Sequence, residues 1–176
     1  DSNTVAVGTN NGYVFVSATA LSTTGATTWT SSRPVAGNIA GLTFDPSNAS
    51  ILYATCSNFG QAHVRKSTDR GATWTTITGS GATALPDIPT FGLAIAPGLF
   101  NRLYVGTDLG VFASLDGGAS WAVENSGFAN VITESLVVET SSKRLYAFTH
   151  GRGVWYVDLP GNAGISPLLD LLLLNN

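Results

Sequence analysis

The chain has 176 residues, 44% of them hydrophobic and 11% charged, with a net charge of −3. That is enough apolar material for a sizeable core, and with no basic block it excludes nucleic acid as an expected partner. A single cysteine, Cys56, excludes an internal disulfide and a cysteine-based zinc site, and no apolar run reaches the length of a membrane span.

The chain lacks methionine and opens on no leader, so a processed form or a piece of a longer chain is expected. Ser, Thr, Asn and Gly supply the polarity that charges do not, which fits a secreted or cell-surface protein made of strands and turns. Residues 4–17 read as two short strands around the polar turn Asn10-Asn11-Gly12, and Trp29 opens a brief outer strand. Residues 40–44 form an apolar inner strand that ends in the turn Asp45-Pro46-Ser47-Asn48. Residues 51–66 repeat the strand, turn and strand, and Ser67-Thr68-Asp69-Arg70-Gly71-Ala72-Thr73-Trp74 bends into another outer strand. A third unit follows with an inner strand over 91–96, a hairpin over 102–113 and the bend Ser114-Leu115-Asp116-Gly117-Gly118-Ala119-Ser120-Trp121. A fourth has an inner strand over 135–139 and a hairpin over 144–155, and stops after its third strand near Asp158. Beyond a glycine-containing linker over 161–164 lies a leucine-rich tail, residues 165–174, interrupted by Pro167. It is too short to span a bilayer and apolar enough to need a covering surface.

Trp29, Trp74 and Trp121 stand 45 and 47 residues apart, the period of one four-stranded blade. The two bends share the form Ser-x-Asp-x-Gly-x-Ser/Thr-Trp. In such a bend the carboxylate accepts backbone N–H groups, the glycine takes a positive φ, and the tryptophan plugs the space between sheets. These residues resemble the Asp-box, or BNR repeat, of the sialidase and Vps10-type β-propellers. The resemblance implies an all-β fold, a β-propeller segment of about three and a half Asp-box blades. The approximate blade boundaries are 1–36, 37–86, 87–128 and 129–160, with residues 161–176 as linker and tail. It also implies structural roles for Ser67, Asp69, Gly71 and Trp74, and for Ser114, Asp116, Gly118 and Trp121. The first blade keeps Gly25 and Trp29 but has lost the Asp. The first blade lacks an inner strand and the fourth an outer one. The expected partners are therefore other copies of the chain or the remainder of a longer one, joined through open blade edges.

Strand direction sorts the loops onto two faces. The Asp-boxes share one face with Asp45-Pro46 and its equivalents. The turns between second and third strands share the other, and they carry Asn11, Asn58, Asp108, His150 and Arg152, the candidate ligand-binding residues. Thr107-Asp108-Leu109-Gly110 is also similar to a Thr-Asp-x-Gly-Gly segment of the xyloglucan-cleaving propeller glycosidases, which implies a catalytic carboxylate at Asp108. The chain departs from that segment at Val111, and glycoside cleavage normally needs two carboxylates, of which the alignment places only Asp108 on this face. The sialidase activity is not expected, because Arg33, Arg65, Arg70, Arg102, Arg144 and Arg152 do not converge and the Arg-Ile-Pro signature is missing. Tyr53, Tyr104 and Tyr146 recur at one core position, His63 and His150 make no metal pair, and Asn48-Ala49-Ser50 is a glycosylation sequon. No cofactor or metal is expected. The functional expectation is an extracellular, non-catalytic binding or assembly module, with part of a secreted polysaccharide-cleaving enzyme as the alternative.

Overall fold

The computed structural model describes residues 3–21, 27–99, 101–124 and 130–159. The tail, the linker before it and the glycine of the eroded first bend lie outside the described residues. Strands are short because each apolar run is closed after a few residues by Gly, Pro, Asn or Asp. They form four antiparallel sheets. The first contains β1 (Val5–Gly8), β2 (Val14–Ser17) and β3 (Thr30–Ser32). The second contains β4 (Ile39–Asp45), β5 (Asn48–Cys56), β6 (Val64–Ser67) and β7 (Thr75–Thr76). The third contains β8 (Thr90–Ile95), β9 (Leu103–Thr107), β10 (Gly110–Ser114) and β11 (Ala122–Val123), and the fourth β12 (Thr133–Glu139), β13 (Arg144–Thr149) and β14 (Gly153–Asp158). Each sheet pairs strictly in chain order. The expected inner strands are β4, β8 and β12. Among the described residues the first sheet has no strand inside β1 and the fourth none outside β14. A 3-10 turn at Gly81–Thr83 is the sole helical element described, and no described helix is long and apolar enough to cross a membrane.

The core consists of three clusters, one at each junction between consecutive sheets. Val14 and Val16 meet Ile39, Leu52, Ala54 and Cys56 at the first. Tyr53 and Val64 meet Leu93, Leu103, Val105, Phe112 and Trp121 at the second. Tyr104, Val111 and Ala113 meet Leu136, Leu145, Ala147 and Leu159 at the third. Alternation along β5 and β9 divides each strand between two junctions, so a sheet is buried on both faces.

The gap between sheets widens outward, and side-chain size follows it. Near the inner edge, a Cβ on Gly41 would strike the Phe91 carbonyl and one on Gly106 the Thr133 carbonyl. Farther out, Tyr53 and Tyr104 fill the junctions, and burial pushes the Tyr53 hydroxyl, also facing Asp45, up to about 12. At the outer edge, Trp74 donates from Nε1 to Ser32 Oγ (2.9 Å) and Trp121 from Nε1 to the Ile77 carbonyl (2.9 Å), each bonding back to the preceding sheet.

Two matched hydrogen-bond networks lock the bends that aim these tryptophans. Ser67 Oγ donates to Asp69 Oδ1 (2.7 Å) and accepts from Gly71 N–H (2.7 Å), while Thr73 donates from N–H to Oδ1 (2.8 Å) and from Oγ1 to Oδ2 (2.6 Å). Ser114, Asp116, Gly118 and Ser120 repeat every one of these bonds. In the first sheet Thr19 stands where those bends have Asp. Its N–H bonds Ser17 Oγ (3.2 Å), and its Oγ1 accepts Thr28 N–H (3.3 Å), the counterpart of the Thr73 bond to Asp69. A hydroxyl thus does part of a carboxylate's work there, and Thr19, separated from Trp29 by a longer loop, escapes a spacing-based reading.

Candidate functional site

The turns between second and third strands share one face because the sheets pair antiparallel in chain order. The inner strands β4, β8 and β12 also begin on that face, each with a break in register within its first few residues. Such bulges bend the strand and re-aim side chains at its end.

The candidate residues do not form one cluster. Asn11 closes its own hairpin: its Oδ1 accepts Thr9 Oγ1 (2.6 Å) and its carbonyl accepts Arg33 Nε (3.0 Å), with Arg33 lying 5.3 Å from the centre of the Tyr13 ring. Asn58 Oδ1 accepts the backbone N–H of Asn38, tying the second sheet's hairpin to the incoming connection. Both side-chain amide oxygens are occupied with loop geometry.

Asp108 differs. Its backbone N–H bonds the Pro89 carbonyl (3.2 Å), and Thr107 Oγ1 bonds the Gly110 carbonyl and Leu109 N–H to shape the turn. Its carboxylate is half-buried and accepts no hydrogen bond from the described residues. The close approach of Gly106 to Thr133 draws β9 against β12. Asp108 follows that contact on one strand and Glu134 on the other. Glu134 Oε1 lies 3.2 Å from His150 Nδ1, with both side chains exposed, and His150 N–H anchors to the Ile132 carbonyl (2.8 Å). Arg152, also exposed, sits on the same turn as His150, and its carbonyl accepts Trp155 Nε1 (3.0 Å). The third and fourth sheets thus bring Asp108, Glu134, His150 and Arg152 to one end of their junction.

Two acidic residues on this face escaped the sequence reading. Glu134 has no motif around it; it gains its place from the register of β12 against β13. Asp87 lies in the connection into the third sheet. It accepts Gly60 N–H (2.8 Å) and lies 2.8 Å from His63 Nε2, whose ring is buried with Nδ1 on the Cys56 carbonyl (3.1 Å). The Gly60 N–H, reinforced by His63, holds the Asp87 carboxyl below the usual carboxylate range. This cluster reads as a brace between hairpin and connection, since its polar atoms face one another.

Glu124, just past β11, is the other unusual acid. Burial alone pushes its carboxyl up to about 7. The opposite face, with the Ser–Asp–Gly–Trp bends, holds an apolar cavity of about 310 Å³ lined by Thr43, Leu93, Pro97, Val137 and Thr140 among others. Among the described residues no three His, Cys, Asp or Glu side chains gather as metal ligands.

No family model matches the chain, and no curated protein matches it. Among solved structures it resembles an ancestral GH74 enzyme, with a TM-score of 0.64 and 17% identity over 88% of this chain. It also resembles the GH74 enzyme of Niastella koreensis, with a TM-score of 0.64 and 19% identity over 90% of this chain. The chain spans 21% and 27% of the lengths of those two chains. At such identities the likeness is one of fold: all-β, in antiparallel sheets of three and four strands matching those of β-propeller neighbours.

Proposed function

We propose that the chain is a segment of an extracellular β-propeller that binds polysaccharide on the face bearing Asp108, Glu134, His150 and Arg152. The observation that carries this is the half-buried Asp108 carboxylate, which accepts no hydrogen bond from the described residues, on the same face as the Glu134–His150 pair. Carboxylates and an imidazole suit hydroxyl-rich ligands, because each sugar hydroxyl both donates and accepts. The fold likeness to GH74 enzymes, a class of glycoside hydrolases, favours a carbohydrate over other polar ligands. The Ser–Asp–Gly–Trp bends fit Asp-boxes with a structural role, and the scarcity of charge fits secretion. The test is titration with xyloglucan oligosaccharides while amide shifts are followed. Shifts are expected at 106–110, 132–134 and 149–153, and Asp108→Ala should weaken binding about tenfold or more. Shifts confined to the face of the bends would overturn the reading.

Glu134 favours a second reading. It supplies a second carboxylate on the face of Asp108, the number that glycoside hydrolysis uses. Reducing-sugar release from xyloglucan that vanishes in both Asp108→Asn and Glu134→Gln, with binding retained, would establish it. Binding without release leaves the module non-catalytic.

A further inference from the structure

We propose that Phe59 is a stacking platform for a pyranose ring, and that it extends the polysaccharide site from the junction of the third and fourth sheets onto the second sheet. The inference rests on the polysaccharide reading above. Phe59 lies in the connection between β5 and β6, on the face that bears Asp108, and is 65% exposed. The second sheet is packed against the first on one side and the third on the other. The exposure of Phe59 therefore belongs to the loop face and not to an open side of a sheet. Surface turns ordinarily place Gly, Asn, Asp or Ser at such a position. A phenylalanine there forgoes the stabilisation that burial of its ring would bring.

The residues around Phe59 are fixed in place. Ser57 N–H donates to the Asn38 carbonyl (3.4 Å), and Asn38 Nδ2 donates to Ser57 Oγ (2.9 Å). Asn58 Oδ1 accepts Asn38 N–H, an approach that Gly37 permits, since a Cβ there would stand 2.7 Å from Asn58 Oδ1. On the other side Gly60, with φ 70°, donates its N–H to Asp87, and Gln61 Oε1 accepts Ala36 N–H (3.1 Å). A ring held out on so anchored a backbone loses little freedom when a ligand packs on it, which is the basis of preorganised binding. The same anchors tie it to Asp108. Asp87 holds Gly60, and two residues on, the Pro89 carbonyl accepts Asp108 N–H (3.2 Å). Two residues of chain span at most about 7 Å, and Ile88 between them packs on the core of the second junction. The turn of Phe59 and the turn of Asp108 therefore hang on one short connection. Leu109, at the second of these turns, is 43% exposed. One face thus offers apolar side chains together with an acid, and a pyranose needs both, because its axial C–H groups form apolar faces while its hydroxyls ring the edge. An oligosaccharide of several residues can meet Asp108 with one ring and Phe59 with another.

The test is calorimetric titration of the full chain with xyloglucan oligosaccharides of increasing length, with proton spectra of the bound sugar. Wild-type affinity is expected to climb with length, and sugar C–H protons to shift upfield as they enter the shielding region above the Phe59 ring. Phe59→Ala should weaken binding of the long oligosaccharides about tenfold and leave the shortest unchanged, with the far-ultraviolet circular dichroism also unchanged because the side chain lies at the surface. Phe59→Leu keeps apolar bulk without a ring and should lose both the upfield shifts and the affinity. Phe59→Trp should keep both. Long oligosaccharides that bind Phe59→Ala as tightly as wild type, while amide shifts persist at 106–110, overturn the platform and leave the polysaccharide reading standing. Full affinity in Phe59→Leu reduces the contact to a general apolar one and overturns stacking. A wild-type chain that binds no oligosaccharide overturns both readings.

Discussion

Asp69 and Asp116 each gather donors from a serine two residues back and a hydroxyl residue four residues on. For Asp69 the Thr73 hydroxyl, with the Thr73 N–H and Ser67, brings the carboxyl down to about 2. Around Asp116 burial acts the other way, yet the Ser120 and Ser114 hydrogen bonds outweigh it and also bring the carboxyl to about 2. Asp116→Ala strips the donors of a bend that positions Trp121. It should cost about 1–2 kcal/mol, a drop of about 2–8 °C in melting temperature, with oligosaccharide affinity unchanged; calorimetry and titration on one sample check both. Glu124 works in the opposite sense. Burial raises its carboxyl from 4.5 to about 7, so the folded state holds a proton that the unfolded chain has released. Stability therefore falls as pH rises from about 4.5 to about 7, and the cost is full above that window. Glu124→Gln should leave stability unchanged below pH about 4 and raise it by about 1 kcal/mol above pH about 7, once solvent screening of this partly exposed group is allowed for. Denaturant melts at the two pH values check it.

At the scale of strands and turns, fit depends on backbone approach. The bends use two consecutive left-handed residues, Gly117 and Gly118 in one (φ 77° and 96°) and Arg70 and Gly71 in the other (φ 58° and 82°). Arg70 carries a Cβ in a region that disfavours one. Arg70→Gly should raise stability by up to about 1 kcal/mol, the relief of strain exceeding the added chain entropy; a lower denaturation midpoint would refute it. Gly106 has the reverse constraint, a carbonyl where its Cβ would stand. Gly106→Ala should destabilise by about 1–3 kcal/mol by forcing β9 from β12. It should also disturb the amide signals of Asp108 and Glu134, a paired effect that spectra of the folded variant reveal.

For the molecule as a whole, the acid limb of stability should be set by its depressed carboxyls. Glu139 joins the two bend aspartates: Ser142 and Ser141 hold it at about 2 from the turn after β12. Each of these groups has a folded value below its unfolded one. Their stabilisation is complete above pH about 4 to 4.5 and is lost as pH falls toward about 2. Thermal melts between pH 5 and 2 should show that steep loss, and a flat profile would mean the networks contribute little.

Local physics made much of this legible from the amino acids in order. Alternating apolar runs closed by Gly, Pro and Asn define strands, and the 45- and 47-residue tryptophan spacing groups them by blade. The hydrogen bonds to Asp69 and Asp116 within the Ser-x-Asp-x-Gly-x-Ser/Thr-Trp bends are self-contained, their donors lying within four residues. That Asp108, His150 and Arg152 lie on one face was readable because turns of one kind share a face. The tertiary structure alone decided which of those turn residues engage their side-chain oxygens: those of Asn11 and Asn58 accept Thr9 and Asn38, and the Asp108 carboxylate accepts no hydrogen bond from the described residues. It alone brought Glu134 to His150 across paired strands, and put Thr19 in the role of a missing aspartate. It also exposed Trp29 where Trp121 is covered. The reason is physical: a motif encodes contacts its own residues make, whereas burial and pairing between sheets depend on what the rest of the chain brings into the same space.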